Sequence, residues 1–142
     1  MSIHVRRAES RDLSCLGAIF ARASALTFPD EPPENSTPER LLSTIAGETL
    51  WLAELCDETA GFVSVYRPER ERFIHHLYVD PRFWRRGVGR ALLDAALQAT
   101  GGHAALKADV ANSQACRFYD ALGWRPETWG WSPEGPWLRY VR

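Results

Sequence analysis

Cysteine is scarce in this chain and does not cluster. Cys15, Cys56 and Cys116 are the three present, with no C-x-x-C spacing. An odd, scattered set argues against a disulfide framework and a cysteine-based zinc site, and no metal centre is expected. The three thiols read as small buried hydrophobes in a reducing compartment. Long apolar runs are missing as well. None approaches the roughly 20 residues that cross a bilayer. The amino terminus, Met1-Ser2-Ile3-His4-Val5-Arg6-Arg7, lacks the apolar core of a signal peptide. No membrane association is expected, and the cytoplasm is the expected location. Excess charge of either sign is also absent. The formal net charge of −1 leaves no global basic field for nucleic acid, although Arg85, Arg86 and Arg90 form a local basic cluster.

What is present is ordinary for a globular protein. The 142 residues, 45% hydrophobic and 25% charged, suit a single domain over 1–142 with a proper core. Ile3 to Ala8 alternates as a strand. Leu13, Leu16, Ile19, Phe20 and Ala23 recur at helical spacing as far as Leu26. Phe28 to Pro38 carries three acidic residues and four prolines and reads as a loop. Ser36 or Thr37 caps a second helix that buries Leu41, Leu42 and Ile45 and ends at Gly47. Strands follow at Thr49–Leu55 and Gly61–Tyr66, joined by a loop from Cys56 to Ala60. A charged, solvated turn from Arg67 leads to a strand from Arg72 to Val79. A helix follows Gly87. Ala104–Val110 is a strand, Asn112–Leu122 a helix stopped by Gly123, and two strands near 124–130 and 137–141 close the chain. No repeat, low-complexity tract or linker interrupts the series. This is an α/β order with a mixed sheet.

The segment from His75 to Trp124 carries the chemistry. Arg85-Arg86-Gly87-Val88-Gly89-Arg90 lies between a strand and a helix. A helix amino terminus exposes unpaired N–H groups and partial positive charge, and glycines let the backbone approach a phosphate. The same glycines could merely permit close strand–helix packing. The turn is neither a Walker loop nor a dinucleotide fingerprint, since both the Lys-[Ser/Thr] pair and the third glycine are missing.

Leu77-Tyr78-Val79-Asp80-Pro81-x-x-Trp84-Arg85-Arg86-Gly87-Val88-Gly89-Arg90-Ala91-Leu92-Leu93 resembles the acetyl-CoA-binding motif of the GNAT family of N-acetyltransferases. Asn112-x-x-Ala115-x-x-Phe118-Tyr119-x-x-x-Gly123-Trp124 resembles that family's next motif. The element order matches its fold over essentially the whole chain. The resemblance implies an acyl-CoA N-acyltransferase fold: a mixed, mostly antiparallel sheet of about seven strands, flanked by about four helices, with splayed central strands. It implies that N–H groups of Arg85, Arg86, Gly87, Val88, Gly89 and Arg90 cradle the pyrophosphate of coenzyme A. Main-chain groups of Leu77 and Val79 would pair with pantetheine, Asn112 would bond pantetheine or cap its helix, and Tyr119 would stand near the sulfur. Trp84 occupies a position where the family has Gln or Arg, so no side-chain role is carried over there.

Acetyl transfer needs a neutral amine, a stabilised oxyanion and a protonated leaving thiolate. An alkyl amine with a pKa of about 10.4 is mostly charged at neutral pH, so a group or a water chain must take its proton. The N–H of Val79 is an oxyanion donor candidate. Tyr119 suits protonation of the sulfur. It also belongs to the apolar stripe Ala115, Phe118, Tyr119, Leu122, and its ring can pack while its hydroxyl reaches the site. Strand alternation sets His75, Leu77 and Val79 on one face and His76 and Tyr78 on the other. His75 is therefore either the proton acceptor or a hydrogen-bonded structural residue, and Phe73, two residues earlier, would make an apolar wall. Asp30, Glu31 and Glu34 either border an acceptor amine or form a solvated loop. Trp129 and Trp131 shape an acceptor pocket, a dimer contact or edge packing. The expected activity is acetyl-CoA-dependent acetylation of a small-molecule amine in a ternary complex, with a homodimer in keeping with the resemblance. The alternatives are acetylation of a protein or peptide, and a non-catalytic acyl-CoA sensor.

Overall fold

The computed structural model describes residues 2–66 and 71–142. The elements are β1 (His4–Arg7), α1 (Leu13–Thr27), α2 (Pro38–Leu42), β2 (Thr49–Leu55), β3 (Glu58–Tyr66), β4 (Phe73–Val79), α3 (Val88–Ala99), β5 (Ala105–Asp109), α4 (Ser113–Ala121), β6 (Arg125–Ser132) and β7 (Gly135–Val141). One seven-stranded sheet runs β1-β2-β3-β4-β5-β7-β6. Every neighbouring pair is antiparallel except β4–β5. The expected mixed, mostly antiparallel architecture is present.

The sheet buries both faces. Leu92, Leu93 and Ala96 of α3 pack with Val63, Val65 and Ile74 on one side. Leu16, Ile19 and Phe20 of α1 and Leu41 of α2 pack with Leu50, Leu52 and Phe62 on the other. Phe62 and Val63 are adjacent yet serve opposite cores, as strand alternation demands. Each such fully buried side chain contributes about 1.5–3 kcal/mol.

Several expectations change. The β2–β3 loop is not five residues long. Cys56 (φ 56°) and Asp57 (φ 62°) form a two-residue turn, and β3 begins at Glu58. Two successive left-handed residues match the right-handed twist of the flanking strands, so pairing continues to the turn. The last hairpin also tightens, to Pro133 and Glu134 between β6 and β7. A 3-10 turn at Pro33–Ser36 interrupts the proline-rich loop. Thr37 is the α2 cap, accepting from the Arg40 N–H. Leu42 is 41% exposed because this short helix seats only Leu41, with Ile45 beyond its end. The cysteines are not buried. Cys15 lies on the outer side of α1, Cys56 at a turn tip, and Cys116 is half-buried. The charged turn at 67–71 falls, apart from Glu71, outside the described residues, and Glu71 pairs with Arg139.

Two carboxylates tie down β1 and the end of β4. Asp12 accepts both Nη groups of Arg6, at 2.9 and 3.0 Å, and those bonds hold its pKa down to about 2. Asp80 is fully buried at the end of β4. It binds Arg22 of α1 at 2.6 Å and both the side chain and the N–H of Arg82. Burial alone would raise its pKa, but the hydrogen bonds from Arg82 and Arg22 outweigh burial and lower it. A carboxylate depressed in the folded state contributes stability that is full above the unfolded value of about 3.9. That contribution disappears as pH falls through the folded value. These two carboxylates therefore add a steep loss of stability between about pH 4 and pH 2, read by thermal melts. Asp12→Asn should shrink the drop, and Asp80→Ala should cost about 2 kcal/mol by urea unfolding at pH 7.

Candidate active site

β4 and β5 pair only at Phe73–Ala105 and Ile74–Leu106, although both strands continue. A bulge in β4 follows this ladder. Opposite β3, Val65 pairs with Ile74 and Ser64 with His76, so His75 is an extra residue. The His76 N–H is held by the buried Ser64 hydroxyl at 3.0 Å. In an antiparallel pair only alternate residues exchange main-chain bonds. Asp80 N–H donates to the Ala60 carbonyl at 2.7 Å, which sets the phase. Tyr78 faces β3 opposite Phe62, and Leu77 and Val79 turn their main-chain groups toward the gap left by β5.

The gap is a cavity of about 810 Å³. Leu77, Val79, Arg85, Gly87, Val88, Gly89, Arg90, Asn112 and Tyr119 all line it. Arg86, expected with them, does not; its guanidinium lies over the Phe83 ring, 5.9 Å from the centroid.

The turn is built for exposed N–H groups. Arg85 (φ 65°) and Gly87 (φ 83°) are both left-handed, a conformation that points successive N–H groups into one concavity. The first bond into α3 runs from the Ala91 N–H to the Gly87 carbonyl at 3.1 Å. The N–H groups of Val88, Gly89 and Arg90 therefore have no partner within the helix. At Gly89 a Cβ would meet Phe118 at 3.5 Å, which is ordinary contact, so the glycine matters for the open space it leaves in the cavity wall. Trp84 does have a partner: its indole N–H donates to the Val79 carbonyl at 2.8 Å. It ties the turn to the end of β4 and leaves the Val79 N–H as that residue's group toward the gap.

Tyr119 is buried among Phe118, Trp124 and Tyr140. Burial, with Tyr78 and Cys116 nearby, pushes its pKa up, so the hydroxyl keeps its proton at neutral pH. The ring packs, and the residue also lines the cavity. Asn112 caps α4 by accepting the Ala115 N–H at 3.2 Å.

The bulge overturns the expected placement of His75. Strict alternation fails at an extra residue, so His75 does not share the face of Leu77 and Val79. Its ring instead stacks on His76, with centroids 4.0 Å apart. Leu77 and Val79 pack with the α3 core, while His76 and Tyr78 contact Phe20 of α1. His75 borders the large cavity and also a second one of about 300 Å³. Phe73 borders neither.

This second cavity joins Glu31, an acidic loop residue noted in the sequence, to Asp109 and Glu134, which the sequence did not single out. Glu31, Asp109 and Glu134 meet there with Arg40, Phe20, Phe28 and Tyr78. Of the acidic loop residues only Glu31 reaches it, and Asn35 donates to its carboxylate at 3.0 Å. Burial, together with Glu134 and Glu31, raises the pKa of Asp109. Glu48, just before β2, lies 2.6 Å from His75 Nδ1. No periodicity marks such a residue; only the bulge brings it to β4. Trp129 and Trp131 are 65% and 69% exposed on the edge strand β6 and line neither cavity.

Residues 19–124 match the profile of the Acetyltransferase (GNAT) family. The chain belongs to the GNAT family. Among curated relatives, an uncharacterized N-acetyltransferase YafP of Escherichia coli is 32% identical over 99 residues, 65% of this chain and 63% of the relative. The peptidyl-lysine N-acetyltransferase YiaC of Escherichia coli is 31% identical over 90 residues, 63% of this chain and 59% of the relative. This chain thus matches under two thirds of either relative's length. Among solved structures, apo YjaB from Escherichia coli superposes with a TM-score of 0.81 at 24% identity, covering 99% of this chain and 97% of that one. The PaiA N-acetyltransferase of Thermoplasma acidophilum, in complex with coenzyme A, gives 0.77 at 19% identity, covering 98% of each chain. At these identities the structural likeness establishes the GNAT fold. Among the described residues no helix is long and apolar enough to cross a membrane.

The turn of this GNAT domain depends on Gly87 for conformation, since a Cβ there would meet only Ile3 at 3.9 Å. Gly87→Ala should cost about 1–2 kcal/mol in urea unfolding, and Gly87→Asn, which tolerates the left-handed region, should cost less.

Proposed function

We propose that this chain moves an acetyl group from acetyl-CoA directly to the primary amine of a small molecule in a ternary complex. The observation that carries the reading is the meeting of two unlike cavities at the β4 bulge. One is lined by an unpaired strand edge and a helix amino terminus; the other is a 300 Å³ space with three carboxylates. A volume of this order suits a small ligand.

The residues divide the work. N–H groups from Arg85 to Arg90 hold the pyrophosphate, with Arg85 and Arg90 adding charge. Leu77 offers N–H and C=O to pantetheine as a neighbouring strand would. Asn112, its Oδ1 engaged in capping, has its amide NH₂ left for the same arm. Bound acetyl-CoA supplies an electrophilic thioester carbonyl. Glu31, Asp109 and Glu134 draw in the ammonium form of the amine, and His75 takes one proton from it. Attack forms the C–N bond while the Val79 N–H donates to the oxyanion, and the C–S bond then breaks. The second amine proton reaches the thiolate through the Tyr119 hydroxyl, because a thiol of pKa roughly 8.5 needs a donor to leave readily at neutral pH.

A second reading, acetylation of a peptide lysine, is favoured by the name of the relative YiaC. Its acceptor group is chemically the same amine, but a peptide needs an open path to the second cavity. A panel of small amines and lysine peptides, scored by coenzyme A thiol release, separates the two. Small amines should give the higher kcat/KM. Binding of acetyl-CoA with no acetylation of any member would favour a sensor, and no binding would defeat the reading. Tyr119→Phe should reduce kcat on the order of 10²-fold and leave the acetyl-CoA Kd within about twofold.

A further inference from the structure

We infer that Glu48 is a positioning residue that fixes the tautomer of His75 and presents Nε2 of that ring as the proton acceptor. The inference rests on the proposed transfer reaction and adds a residue to it.

Glu48 follows Gly47 (φ 80°) and immediately precedes β2. Thr49 pairs with Val65, and Val65 with Ile74, so Glu48 reaches the bulge across the end of β3. Its side chain is only 3% exposed, and Oε2 lies 2.6 Å from His75 Nδ1. A carboxylate only accepts, so Nδ1 carries the proton and Nε2 keeps its lone pair. The His75 ring, 37% exposed, borders both cavities. Glu48 Oε1 is buried without a hydrogen-bond partner, so this carboxylate is under-satisfied while His75 is neutral. When Nε2 takes a proton from an ammonium, the resulting imidazolium gains a buried counter-ion at Nδ1. The atoms balance: one N–H bond of the ammonium breaks, one forms at Nε2, and the proton later leaves to water.

The neighbouring histidine is not equivalent. His76 Nε2 lies 3.0 Å from the Thr44 hydroxyl, which gives its own proton to the Leu41 carbonyl at 2.8 Å. Thr44 therefore accepts, and His76 is fixed as the Nε2–H tautomer. Burial, then the nearby His75, hold its pKa down to about 3. His76 is a neutral platform beneath His75, and Glu48 makes the difference between the two rings.

The test is Glu48→Gln, beside His75→Asn, in the full chain. Long-range ¹⁵N–¹H NMR should report Nδ1–H at His75 in the wild type and a mixture of tautomers in Glu48→Gln. With the best amine of the panel, Glu48→Gln should lower kcat about 10–100-fold, with KM for acetyl-CoA and Tm nearly unchanged. A wild-type kcat in Glu48→Gln or in His75→Asn would overturn the inference. So would Nε2–H at His75 in the wild type. Equimolar Zn²⁺ that shifts both rings and raises Tm would make Glu48, His75 and His76 a metal site instead; their ligand atoms lie within 4.8 Å of one another. The tautomer is read without turnover, so a protein inactive toward every amine defeats the transfer reading while NMR still decides the Glu48–His75 pairing.

Discussion

Everything distinctive in this domain depends on where β4 stops pairing with β5. Two residues of parallel ladder hold the strands together at their base, and beyond Ile74 and Leu106 they diverge. A buried strand edge without partners is expensive, because main-chain N–H and C=O groups must be satisfied. An edge that opens into a large cavity, at depth in a seven-stranded sheet, asks for something that bonds as a strand does. The bulge at His75 decides which residues present that edge. Without the extra residue, the phase of β4 after Ile74 would reverse, and Leu77 and Val79 would turn to β3 instead of to the gap.

Asp80 carries the same constraint into the turn. One residue past the β4 ladder it is both a main-chain donor, to Ala60, and the acceptor for Arg82 and Arg22. One buried carboxylate thus links the sheet, the turn and α1. The Trp84 indole adds a second tie, to Val79. The turn can then hold two left-handed residues and an open helix amino terminus without fraying. Rigid support of this kind is what a site that recognises by backbone N–H groups requires.

The fold and the walls of the large cavity were legible because they are written in local patterns: the periodicity of α1 and α3, the alternation of β2 and β3, the Gly87 turn and the Asn112 cap. The smaller cavity was not. Strand alternation at His75 gave the wrong face, since the bulge depends on a Ser64 side-chain bond from another strand. Glu48, Asp109 and Glu134 come from three separate parts of the chain, and only the tertiary fold brings them near β4. The tight turn at Cys56-Asp57 was missed for a different reason. Neither residue is glycine, yet hairpin twist outweighed the local preference of Cys56.

The net charge of −1 hides a separation that the sheet creates. Arg85, Arg90, Lys107 and Arg117 line the large cavity, Glu31 and Glu134 border the smaller one with Arg40, and Asp109 stands at both. β4 stands between a side suited to a polyanion and a side suited to a cation. In the proposed reaction such a field would set acetyl-CoA and the ammonium on opposite sides of one strand. Reaction then needs the cation to lose its charge where the sides meet, which is where His75 and His76 stack. In that proposal His75, held by Glu48, takes the proton, while His76, kept neutral by burial, adds no second positive charge beside it.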